Sequence, residues 1–139
     1  MKTSVLFAAL AVMVFWGFWG FIHKLCLNQI GIKATLLWSF SAALICYLLI
    51  IATLLYRGTT YRLGLYSSLA VIASLLGTAA LLLFMFVLAR EKGSIIIPLT
   101  ALYPAITVIL LYLFAGEKLS VSKLVGVILA VIAAFLLAK

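Results

Sequence analysis

Five apolar runs separated by short polar turns follow one another along the chain. The runs cover about residues 5–25, 34–56, 66–89, 94–115 and 121–138. Each is close to the roughly 20 residues that an α-helix needs to cross a bilayer core about 30 Å thick. The runs are continuously apolar, whereas strands of a membrane barrel alternate apolar and polar residues. The pattern predicts an all-α integral membrane protein with five transmembrane helices in one domain, residues 1–139.

The composition supports the same prediction. Hydrophobic residues make up 69% of the 139 positions and charged residues 9%, whereas a soluble domain is about half apolar and a quarter charged. The amino terminus, Met1-Lys2 followed by an apolar run, is similar to a signal peptide. Four further runs follow it, and the segment from Trp16 to Trp19 does not suit a cleavage site. We therefore expect the first run to be a membrane helix.

The net charge of +8 does not indicate nucleic-acid binding. Most of the ten Lys and Arg residues stand singly between apolar runs, where loop cations flank membrane spans. The alternation of basic and aromatic residues that is typical of a single-strand binder is missing. We expect the partners to be the lipid bilayer and a small-molecule substrate.

The distribution of the basic residues bears on orientation, since five spans place the two termini on opposite sides of the membrane. The amino-terminal side receives Lys2, Arg57, Arg62, Lys118 and Lys123, and the other side receives Lys24, Lys33, Arg90, Lys92 and Lys139. An excess of Lys and Arg on cytoplasmic loops normally sets orientation, and here neither side has one. The balance favours insertion in both orientations and an antiparallel homodimer. The alternative is a single orientation, fixed by the terminal amino group or by a partner.

The fourth run contains Pro98 in its first turn and Pro104 in mid-span. A proline in a helix interior removes a hydrogen bond, so we expect a kink near Pro104. Thr100, Tyr103 and Thr107 share a helical face at spacings of three and four. This face is expected to form a cavity wall, the alternative being a surface against lipid.

The first two helices supply further candidate substrate-binding residues, Trp16, Trp19, Lys24 and Ser39. An ionisable group at membrane depth is a functional hypothesis by default, so Lys24 is a candidate ligand contact. The alternative is that Lys24 only extends its ammonium group to the interface. His23 is similarly either a site of proton coupling or a satisfied interfacial histidine.

The fifth helix carries small residues at four-residue spacing, namely Ser122, Gly126, Ala130, Ala134 and Ala138. Such stripes let two helices approach closely in lipid. The stripe is either a dimer seam or a packing surface within the chain.

The sequence lacks the residue patterns of catalytic, metal-binding and cofactor-binding sites. The two carboxylates, Glu91 and Glu117, belong to loops, which argues against proton exchange centred on a membrane carboxylate. The sequence contains no acid pair, no metal-ligand cluster and no Gly-rich phosphate loop. We therefore predict no enzyme activity, no metal and no cofactor.

Several motifs in the second half of the chain resemble a known family. They are Gly93-Ser94, Pro98-Leu99, Leu102-Tyr103-Pro104, Gly116-Glu117-Lys118-Leu119-Ser120 and Gly126. In this order they resemble the second half of an EamA domain of the drug/metabolite transporter superfamily. Trp16-Gly17 with Lys24 is similar to the family's opening helix, although Trp38 stands where many relatives have an arginine.

The resemblance implies a transporter. Family members usually carry two five-helix domains in inverted orientation, so this domain would be half of an inverted-repeat transporter. We expect a multi-pass protein of the cell inner membrane that moves, and in particular exports, a metabolite or amphipathic compound by alternating access as an antiparallel homodimer. The alternative is an accessory subunit of a lipid-linked sugar flippase or another membrane complex.

Overall fold

A computed structural model describes residues 3–118 and 120–137. The helices are α1 (Thr3–Tyr56), α2 (Leu65–Arg90), α3 (Gly93–Thr100), α4 (Tyr103–Phe114) and α5 (Val121–Leu137). Within these ranges α1, α2 and the segment Gly93–Phe114 are long and apolar enough to cross a membrane, and α5 is a shorter apolar helix. The predicted all-α membrane fold is confirmed. Ala138, at the end of the predicted stripe, lies outside the described residues.

The first two predicted spans are not separated by a loop. They are joined in α1, and the polar residues Asn28 and Gln29 are helical. The helix is interrupted at Gly31, whose φ of 75° and ψ of 169° are non-helical. L-residues with side chains rarely adopt this conformation, which glycine tolerates. Gly31 therefore divides α1 into segments 3–30 and 32–56, each long enough to span the bilayer core.

The carboxyl end of α1 is closed by a glycine turn. Gly58, with φ of 81°, donates its N–H to the carbonyl of Leu55 at 2.9 Å. The N–H of Thr59 reaches the carbonyl of Leu54 at 3.1 Å. This pair of bonds satisfies carbonyls that the end of a helix leaves open, and the loop 57–64 follows it.

The fourth predicted span is divided into α3 and α4 by Ala101 and Leu102. Pro104 lies in the first turn of α4, where its missing N–H costs little. The interruption therefore precedes Pro104 instead of centring on it. Pro98 lies further inside its helix than the sequence indicated, as the sixth residue of α3.

The chain forms two compact units. One combines residues up to 21 with those from 90 onward, and the other consists of residues 22–89. In the first unit, α3 and α4 pack against α5, and Ala134 of α5 is buried. The single-domain organisation stays a prediction. Many large apolar side chains are exposed along the helices, as expected where hydrocarbon is the solvent.

Candidate functional site

The interruption of α1 is accompanied by hydrogen bonds between its two segments. His23 precedes Gly31 and Ser39 follows it, and the His23 Nε2 and Ser39 Oγ atoms form a hydrogen bond of 3.0 Å. Thr35 is 2% exposed and donates its hydroxyl to the carbonyl of Gly31 at 2.8 Å. One side-chain hydrogen bond therefore joins the two segments across the break, and a second one binds the backbone carbonyl of the non-helical residue itself.

Lys24 lies beside His23 and contacts the end of α2. Its Nζ donates a hydrogen bond of 2.7 Å to the backbone carbonyl of Leu88, a fully buried residue in the last turn of α2. The last four carbonyls of a helix lack partners within it, and a cation is favoured there by the helix dipole. Lys24 thus caps α2, a role that neither alternative from the sequence included.

A second group of candidate residues lies in the other unit. The rings of Trp16 and Tyr103 have their centroids 6.3 Å apart and are tilted by 36°. This separation is within the range of favourable aromatic pairs. Both side chains are more than half exposed, so the pair presents an aromatic surface. One turn after Trp16, a Cβ placed on Gly20 would lie 3.4 Å from Ile97 Cδ1, which shows how closely α1 approaches α3.

The two predicted threonines donate their hydroxyl groups within their own helices. Thr100 donates to the carbonyl of Ile96 at 2.8 Å, and Thr107 donates to the carbonyl of Tyr103 at 3.2 Å. Ala101 and Leu102 separate Thr100 at the end of α3 from Tyr103 and Thr107 in α4, and the common face of these three residues stays a prediction. Because each threonine hydroxyl already donates its proton to a carbonyl of its own helix, it can only accept a hydrogen bond from a ligand.

The predicted site residues are divided between the two units. Trp16, Trp19, Thr100, Tyr103 and Thr107 belong to the first unit, and Lys24 and Ser39 belong to the second. Their role as one substrate site stays a prediction.

Sequence reasoning missed the pairing of His23 with Ser39 and the acceptor at Leu88. The one available signal was Gly31 within a polar segment.

The small residues of the α5 stripe differ in burial and packing. Ala134 is buried, whereas a Cβ built on Gly126 meets nothing within 4 Å. Ser122 forms a hydrogen bond of 3.0 Å with Ser120, and Ala130 is exposed. The carboxyl end of the stripe therefore packs within the chain, and its middle stays open.

These helices define a multi-pass membrane protein with polar groups at the break between the two segments of α1 and an aromatic pair between α1 and α4. The sequence profile of the EamA-like transporter family matches residues 3–139. The chain belongs to this family of the drug/metabolite transporter superfamily, and the resemblance inferred from the motifs is confirmed.

An archaeal protein is similar over nearly its whole length. It is an uncharacterized protein of Methanocaldococcus jannaschii, 28% identical over 137 residues, which cover 99% of this chain and 97% of that protein. The matched region therefore occurs once in the archaeal protein. No solved structure is significantly similar to the chain.

Proposed function

We propose that this chain exports a small metabolite or amphipathic compound across the cell inner membrane by alternating access, as an antiparallel homodimer. The observation that carries the proposal is the family match over residues 3–139, because the matched family is one of transporters. An inverted second copy would supply the repeat that larger transporters hold in one chain.

The dimer is supported by charge and by open surface. The predicted topology assigns five basic residues to each side of the membrane, so neither orientation is favoured by the positive-inside rule. The open space at Gly126 leaves room for a helix of the second copy to approach closely.

The substrate is proposed to contact Trp16, Trp19, Lys24, Ser39, Thr100, Tyr103 and Thr107. The Trp16–Tyr103 pair offers an apolar aromatic surface, which suits an amphipathic compound. Gly31 would act as the hinge of the transport cycle, since hinge residues absorb large changes in φ and ψ. The hydrogen bond between His23 and Ser39 then stabilises one arrangement of the two α1 segments.

Orientation is tested by reporters at the carboxyl terminus. Green fluorescent protein fluoresces on the cytoplasmic side and alkaline phosphatase is active on the opposite side. For the unmodified chain we expect signals from both fusions. A signal from only one fusion would contradict dual topology.

Matched charge variants make this test directional. Lys118→Gln with Lys123→Gln leaves an excess on the carboxyl-terminal side, so fluorescence should dominate. Lys33→Gln with Lys92→Gln removes the same number of charges from the other side, so phosphatase activity should dominate. Equal ratios in both variants would mean that loop charge does not set orientation, and the antiparallel dimer would lose its basis.

Transport is tested with purified protein. A thermal-shift screen against metabolites identifies ligands, since a compound that binds the folded state raises its apparent stability. Uptake of a hit into liposomes by the lone chain supports the proposal, and Trp16→Ala should reduce it more than Phe7→Ala, which removes an exposed aromatic of the same helix. No transport by the lone chain, with consistent co-purification of another membrane protein, would instead indicate an accessory subunit.

A further inference from the structure

The loop between α1 and α2, residues 57–64, has the composition of a membrane-interface segment. Tyr56, Tyr61 and Tyr66 are 93%, 78% and 83% exposed, and tyrosines concentrate where hydrocarbon meets the headgroups. Arg57 and Arg62 are exposed beside them. The first acidic residue of the chain is Glu91, so no carboxylate of α1, this loop or α2 neutralises the arginines.

An apolar groove leads along α1 to this loop. It is a shallow, largely open depression of about 250 Å³ along one face of α1, lined by Leu49, Ile50, Thr53, Leu54 and Arg57. The Thr53 hydroxyl donates to the carbonyl of Leu49 at 2.8 Å, so its proton is engaged within the helix. The groove therefore has an aliphatic wall, and Arg57 provides the positive charge at its end.

Hydrogen bonds fix the backbone at Arg57, whose side chain is exposed. The glycine turn at Gly58 follows Arg57 directly, and the N–H of Arg57 itself bonds to the carbonyl of Thr53 at 3.1 Å. Beyond the turn, a second groove of about 140 Å³ includes Thr59, Thr60 and Tyr61. Hydroxyl groups and an arginine thus stand at the ends of two adjoining apolar grooves.

We propose that this surface binds an anionic phospholipid of the bilayer. One acyl chain lies in the groove along Leu49, Ile50 and Leu54, and the phosphate is held by Arg57 and Arg62. Arginine suits this role because its planar fork donates two parallel hydrogen bonds to phosphate oxygens. The occupant is a lipid and not a soluble anion because the groove offers aliphatic surface to a hydrocarbon chain. This site does not depend on the transport activity.

The test is native mass spectrometry of the purified full chain with equal amounts of phosphatidylglycerol and phosphatidylcholine. We expect the unmodified protein to retain phosphatidylglycerol preferentially. A basic residue near an anionic lipid surface contributes about fivefold to binding, so Arg57→Gln with Arg62→Gln should lower retention by about one order of magnitude or more. The matched control, Lys118→Gln with Lys123→Gln, removes equal charge from the same predicted side and should retain the lipid.

Two further variants separate the parts of the site. Arg57→Lys with Arg62→Lys keeps the charge and should restore part of the binding, which also shows that the positions tolerate substitution. Ile50→Trp fills the groove and should reduce lipid retention while both arginines remain. Excess glycerol phosphate should not displace the lipid. The proposal is overturned if both double Gln variants lose lipid equally, if neither loses it, or if glycerol phosphate competes.

Discussion

His23 Nε2 and Ser39 Oγ lie 3.0 Å apart and join two helical segments that Gly31 separates. The two residues are sixteen positions apart, so they do not meet as neighbours on one continuous helix. Both side chains are half-buried, where a hydrogen bond is less exposed to competition from water. The contact therefore stabilises the particular angle at which the two segments of α1 meet.

A double-mutant cycle measures this contact. His23→Ala and Ser39→Ala should each destabilise the protein, and together they should cost less than their sum, with a coupling of about 0.5–1.5 kcal/mol. The measurement is unfolding by sodium dodecyl sulfate in mixed micelles. Ser39→Ala with Leu37→Ala serves as the control pair, because Leu37 is exposed and lies two residues before Ser39 in α1. Additive effects for His23 and Ser39 would show that the bond contributes nothing in the membrane protein as purified.

Gly31→Ala should destabilise the protein through its backbone. A residue with a side chain held at φ of 75° and ψ of 169° costs about 1–3 kcal/mol, although a Cβ there would touch nothing within 4 Å. Gly17→Ala is the matched control, since its Cβ also meets open space but its backbone is helical. Gly17→Ala should be neutral or slightly stabilising. Equal stabilities of the two variants would mean that α1 passes through position 31 without the break.

The sequence predicted some of these features and not others, for physical reasons. The apolar runs located the membrane helices because bilayer thickness fixes their length, and Arg57-Gly58 marked an end because glycine closes the last turn. The segment around Asn28 was expected to be a loop, yet helical hydrogen bonds continue through it until Gly31.

The carbonyl that accepts the hydrogen bond from Lys24 could not be predicted from the sequence. A backbone carbonyl has no residue-specific signature, so nothing in the sequence indicated that Leu88 would receive the ammonium group. The Trp16–Tyr103 pair was easier to anticipate, because the sequence offers both residues as aromatic cavity candidates on separate helices.

Lys24→Met should lower the free energy of unfolding by about 1.5–3 kcal/mol, the usual range for a hydrogen bond to a charged group. The variant leaves the carbonyl of the buried Leu88 without its Lys24 donor. Lys33→Met is the control, because Lys33 is an exposed cation of the same unit and its loss should change stability by less than about 0.5 kcal/mol. If Lys24→Met abolishes transport at unchanged stability, Lys24 acts on the substrate and its hydrogen bond to Leu88 does not contribute to stability.

Gly126→Leu should reduce dimer formation without destabilising the chain. The side chain would enter a region where a Cβ meets nothing within 4 Å, but it would prevent a second helix from approaching the stripe closely. Ala134→Leu is the opposite case, since Ala134 is buried and overpacking costs about 1–3 kcal/mol. Energy transfer between labelled copies in liposomes reports the dimer, and detergent unfolding reports the chain. Unchanged energy transfer in Gly126→Leu would mean that the dimer, if formed, uses another surface, and that the open middle of the stripe faces lipid.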